Sequence, residues 1–115
     1  MNTLSYESIM ALQKEIHKIT KNTEWRGDKI NIGERIAMCH FGLSKTLEIY
    51  RSECALQKHT TFYNVKGKGK LVIPNEFATE LAACIIRILD LAEYLKIDMG
   101  STIMNRMKTL KGKYV

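Results

Sequence analysis

The sequence predicts an all-α fold: a four-helix bundle with a small β-hairpin inserted between helices 2 and 3. Three observations carry this. Apolar residues recur at three- and four-residue spacing in four separate segments. That rhythm breaks over residues 54–73, where β-prone residues flank a glycine-lysine turn. A chain of 115 residues, 45% hydrophobic and 26% charged, has the composition of one ordinary globular domain, which we place at 1–115.

The first helix spans 4–21, with Leu4, Ile9, Leu12, Ile16 and Ile19 on its apolar face. Residues 22–30, "NTEWRGDKI", form a connector through Gly27 and Asp28. Trp25 lies in it, as a packing anchor or a ligand platform. Asn31 is the expected N-cap of a second helix over 31–53, with Glu34 three residues later. Ile32, Ile36, Cys39, Leu43, Leu47 and Tyr50 trace its expected buried stripe. The hairpin is placed at about 60–73, from "TTFYNV" through "KGKGK" to "LVI". The two glycines between lysines read either as a solvated turn or as a phosphate cradle.

Pro74 opens a third helix over 75–96, with Phe77, Leu81, Cys84, Ile85, Ile88, Leu91 and Leu95 facing inward. Asp98 or Ser101 caps a fourth helix that ends near Lys111, leaving 112–115 as a flexible tail. Met99, Met104 and Met107 read as core or dimer contacts.

Eighteen Lys and Arg against 12 Asp and Glu give a net charge of +6, which favours anionic partners or simply a solvated basic surface. Aromatics do not interleave with the basic residues, so a nucleic-acid partner is disfavoured. Cys39, Cys54 and Cys84 are odd in number and lack C-x-x-C spacing, which argues for a reducing cytoplasm and against a disulfide framework. The N-terminal stretch is not expected to be a signal peptide, and no apolar run has membrane-spanning length.

"NIGERIAMCHFGLSKTLEIYR", then "TFYNVKGKGKLVIP", then "IPNEFATELAACIIRILDLAEYLKIDM" carry a resemblance to the MazG-type all-α nucleoside triphosphate pyrophosphohydrolases. It runs from about Trp25 to Lys111. The family's first motif reads H-S-E-L-S-E-A-L-E and its second E-L-A-D-x-x-I-R-x-L-D. The resemblance implies a four-carboxylate Mg²⁺ cage and cleavage between the α and β phosphates of a nucleotide.

Set on those motifs, Gly42 and Lys45 stand where the first two acids belong, Glu80 is kept, and Ala83 replaces the aspartate. His40, Leu43, Leu47, Glu48, Leu81, Ala82, Arg87 and Asp90 persist, and Arg106, Met107 and Lys111 fit the family's K-M-x-x-N-K ending, with Leu110 for its asparagine. One carboxylate beside an ammonium cannot repay the dehydration of Mg²⁺. The expectation is therefore a degenerate member without catalytic residues and without a cofactor, Mg²⁺ entering only if activity survives through Glu80, Glu48 and Asp90.

The candidate ligand-binding residues are Lys45, Glu80, His40, Gly42, Trp25, Arg106 and Lys111. Lys45 either pairs with Glu80 or meets a ligand phosphate. Gly42 is expected to enlarge the pocket floor. His40 reads as a hydrogen-bonded structural residue ahead of a base, His17 and His59 as plain surface residues, and Arg87 and Asp90 as an ion pair.

The function expected is binding or sequestration of a nucleotide or nucleotide-derived signal without hydrolysis, in one version by a phage anti-defence sponge. Residual pyrophosphohydrolase activity and a protein-interaction module are the alternatives. A homodimer or homotetramer is expected, with a protein partner left open and no membrane.

Overall fold

The computed structural model describes residues 3–21, 31–54, 62–65, 69–73 and 75–114, and the account of side chains covers 7–21, 31–52, 73 and 75–112. Trp25, His59 and Pro74 lie outside the described residues. The described elements are α1 (Thr3–Thr20), α2 (Ile32–Ile49), a π-helical turn (Tyr50–Cys54), β1 (Phe62–Val65), β2 (Gly69–Val72), α3 (Asn75–Tyr94) and α4 (Met99–Tyr114). Wherever side chains are described, the regular structure is all helical. The backbones of β1 and β2 run antiparallel, in register from Phe62↔Val72 to Val65↔Gly69. Among the described residues no helix is long and apolar enough to cross a membrane.

The chain divides into two compact units, one of residues 1–32 with 88–115 and one of residues 33–87. In the first, α1 lies against α4. Among the described residues, Ile16, Leu89 and Ala92 are its buried apolar side chains. Polar links do much of the fastening. Gln13 is fully buried, and its Nε2 donates to Glu93 Oε1 and to the Ile97 carbonyl, both at 2.9 Å. Thr20 Oγ1 donates to the buried Asp90 Oδ1, and His17 Nδ1 stands 3.4 Å from the same oxygen.

Two expectations are corrected here. His17 is part of a buried-edge polar cluster, not a plain surface residue. Asp90 takes Thr20 and His17 as partners instead of a pair with Arg87. Both errors share a cause: contacts across 70 or more residues leave no trace in local spacing.

The turn from α3 to α4 is specified residue by residue. Lys96 has a positive φ of 60°. The Ile97 N–H bonds the Ala92 carbonyl and the Lys96 N–H the Glu93 carbonyl, which is the Schellman pattern that closes a helix C-terminus. Asp98 then caps α4: its Oδ1 accepts the Ser101 N–H at 2.9 Å and its Oδ2 the Ser101 hydroxyl at 3.1 Å. Of the two caps proposed from sequence, Asp98 is the one used. α4 continues to Tyr114, past the expected end near Lys111.

In the second unit, α2 and the first part of α3 pack antiparallel. Gly42 meets Cys84 and Arg87, Lys45 meets Glu80, and the α2 end at Ile49 and Ser52 shares a cleft with Asn75 and Glu76. The α2 ladder gives way to a π-helical turn at Tyr50, where Ser52 Oγ donates to the Glu48 carbonyl.

The buried line of α2 is Gly42 and Thr46, with Cys39 half-buried, not the expected leucine stripe. Leu43 is 51% exposed, and Ile32, Ile36, Leu47 and Tyr50 are exposed as well. On α3, Cys84 is buried, but Leu81, Ile85 and Ile88 are exposed, as is Leu95 just after it; on α1, Leu12 and Ile19 are exposed. Gly42 faces α3 at the place where Cys84 and Arg87 fill the adjoining space.

Candidate functional site

A cleft of about 700 Å³ lies in the second unit, lined by Lys45, Glu48, Ile49 and Ser52 from α2 and the π-helical turn, and by Asn75, Glu76, Thr79 and Glu80 from α3. The helical repeat explains the α2 set. Lys45, Glu48, Ile49 and Ser52 are three, four and seven residues apart and so share one side of the helix. That side is nearly opposite Leu43 and Leu47, so Lys45 does not share their face.

Lys45 Nζ stands 3.3 Å from Glu80 Oε1. The Glu80 side chain is mostly buried and Lys45 reaches it from solvent. Of the two roles open to Lys45 from sequence, the structure displays the pairing with Glu80. The cleft carries three carboxylates, Glu48, Glu76 and Glu80, against one ammonium. A free polyphosphate entering it meets net negative charge. The N-terminal end of α3, at Asn75 and Glu76, offsets part of that through its dipole.

Gly42 does not form the floor of this cleft. A Cβ placed there would lie 2.6 Å from Arg87 Nη1 and 2.8 Å from Cys84 Sγ. The space vacated by a side chain at 42 is already filled by the guanidinium and the thiol. Thr46 Oγ1 donates to the Gly42 carbonyl at 2.9 Å, tying up the neighbouring backbone. Arg87 Nη1 is buried without a hydrogen-bond partner. Burial pushes the Cys39 thiol above its ordinary value; the Arg87 guanidinium pulls it back in part, and the Cys84 thiol adds to the rise.

The donor set does not fit the Mg²⁺ cage that the resemblance implies. One of the four positions has its side-chain space occupied by a cation, one is itself a cation, and one is alanine. Among the described residues no group of three or more His, Cys, Asp or Glu side chains is placed to hold a metal ion.

Of the seven candidate residues, Lys45 and Glu80 are brought together and line the cleft. Gly42 is buried against α3, and His40 is exposed on α2 and does not line the cleft. Arg106 and Lys111 are exposed on α4, in the first unit. Trp25 lies outside the described residues. Sequence reasoning missed Asn75, Glu76 and Thr79. Their signal was available: they occupy the first turns of α3, one turn and more before Glu80. Comparison with known proteins finds no matching family model, no matching curated protein and no matching solved structure.

Proposed function

We propose that this chain is a MazG-like pseudoenzyme, a helical bundle with a hairpin insertion that binds or sequesters a nucleotide or nucleotide-derived signal without hydrolysing it. The observation that carries the reading is the Lys45–Glu80 pair inside the cleft. The acid retained from the family's set is answered by an ammonium of the chain itself, where the family uses a metal. Water activation and Lewis-acid assistance at phosphate both require the metal that this set disfavours. Because the cleft holds three carboxylates, the ligand engages Lys45 with one phosphate; its base and hydroxyls meet Ser52, Asn75 and Thr79. The protein acts in the cytoplasm, that of a host cell if a phage encodes it, as an oligomer of identical chains.

Thermal unfolding against a panel of triphosphates, deoxynucleotides and cyclic signalling nucleotides tests this, run in EDTA and again in Mg²⁺. A ligand at 100 times its Kd stabilises by about 2.7 kcal/mol, a melting shift on the order of 10 °C for a domain of this size. A shift in EDTA that is lost in Lys45→Ala supports the reading. A shift only with Mg²⁺ favours residual pyrophosphohydrolase activity, to which Glu48 and Glu80 in one cleft lend support. No shift with any nucleotide refutes both and leaves the protein-interaction module.

A further inference from the structure

The Lys45–Glu80 pair stands at one end of the cleft. Every other lining residue on α2 and the π-helical turn follows Lys45, and every other one on α3 precedes Glu80. Because the two helices run antiparallel, both directions lead the same way, toward the start of α3. A ligand held at Lys45 therefore extends past Glu48 and Glu76, one on each wall. Glu48 follows Lys45 by three residues and Glu76 precedes Glu80 by four, so each stands about 5–6 Å along from the pair. Both are exposed. Among the described residues, the ion pair of the cleft is the one between Lys45 and Glu80. Glu76, in the first turn of α3, already answers the positive end of that helix's dipole.

We infer that the cleft selects a nucleotide with a singly charged phosphate, a phosphodiester, and a base that carries an amino group, and that Glu48 and Glu76 impose both preferences. The inference rests on the nucleotide reading above and names the ligand class of that same cleft. Lys45 is half exposed, and Glu80 engages one N–H donor of its ammonium, leaving the others for a phosphate oxygen. A diester brings a single negative charge to that one cation. Further phosphates run on between the two carboxylates. At about 6 Å and physiological ionic strength, Glu48 and Glu76 together disfavour each added unit charge about threefold. The same carboxylates only accept hydrogen bonds, so they take N–H groups and repel carbonyl oxygens. A base with an amino group gains there, and uracil does not.

Calorimetric titration of the natural chain in EDTA, with cyclic AMP, AMP, ADP and ATP, reads the ranking. Cyclic AMP is expected to bind tightest, with affinity falling about thirtyfold across the series to ATP. Cyclic CMP is expected to bind about tenfold tighter than cyclic UMP. Replacing both acids, Glu48→Gln with Glu76→Gln, keeps their size and should bring ATP level with cyclic AMP or above it. Circular dichroism and the melting point of the free variant check that it folds. ATP binding the natural chain as tightly as cyclic AMP overturns the inference and leaves the nucleotide reading standing. So does a folded double variant that keeps the natural ranking. Equal affinity for cyclic CMP and cyclic UMP overturns the contact with the base. A natural chain that binds none of these nucleotides overturns both the inference and the reading beneath it.

Discussion

Gly42→Ala separates two effects that act in opposite directions. In an open helix the change stabilises, because alanine has about 1 kcal/mol better helix propensity than glycine. Here the added Cβ would sit 2.6 Å from Arg87 Nη1 and 2.8 Å from Cys84 Sγ. The arginine terminus is the end of a long, flexible side chain and can withdraw. The Cys84 sulfur is buried and turns about one bond only, so it or the helix must give way. Overpacking of this kind costs about 1–3 kcal/mol. Subtracting the propensity gain leaves a net destabilisation of roughly 1 kcal/mol, or a melting point lower by about 4–5 °C in a chain this long. Urea unfolding followed by far-UV circular dichroism, at one fixed protein concentration, measures it. The decisive arm is a double-mutant cycle with Cys84→Ala: removing the sulfur should recover on the order of 1 kcal/mol of the Gly42→Ala penalty. A Gly42→Ala variant more stable than the natural chain, or a cycle with no coupling, would refute the steric argument.

Three further outcomes are expected. Asp98→Ala removes the α4 cap and costs about 1 kcal/mol, measured by urea unfolding; Asp98→Asn should keep most of it, because the amide oxygen still accepts the Ser101 N–H. Lys96→Gly relieves the left-handed backbone at φ 60° and raises stability by roughly 0.5–1 kcal/mol, read as a higher melting point. The Cys39 thiol, raised from 9.0 by burial, is neutral in the fold at pH values where an ordinary cysteine already ionises. The stability it contributes is therefore present below the ordinary thiol value and lost as pH rises through the raised one. Its alkylation rate should climb at higher pH than that of a free cysteine, and Arg87→Gln should push that midpoint higher still.

Helix existence was legible because 3.6-residue periodicity is a local signal, and Asp98 was found because caps have a short reach. The side that each helix buries was not legible. Periodicity on α2 points to Leu43 and Leu47, but the buried positions are Gly42 and Thr46, and Gly42 lies against Cys84 and Arg87, more than 40 positions away. A still longer separation hid the Thr20 and His17 contacts of Asp90. In the candidate site, Lys45 and Glu80 were found because both fall on motif positions that the resemblance picked out. Asn75, Glu76 and Thr79 were passed over because a helix start reads first as punctuation. Gly42 was misread as empty space because a sequence shows a missing side chain but not the neighbour that fills the gap.

That filled notch also bears on how the chain can change over generations. An acid at position 42 is disfavoured by itself, since its first carbon would already sit 2.8 Å from the sulfur of Cys84 before any carboxylate is placed. Making room at 84 first leaves a cavity while 42 remains glycine. Either order passes through a weakened intermediate, so glycine at 42 and cysteine at 84 are tied together: a side chain gained at one is tolerated best when bulk is lost at the other.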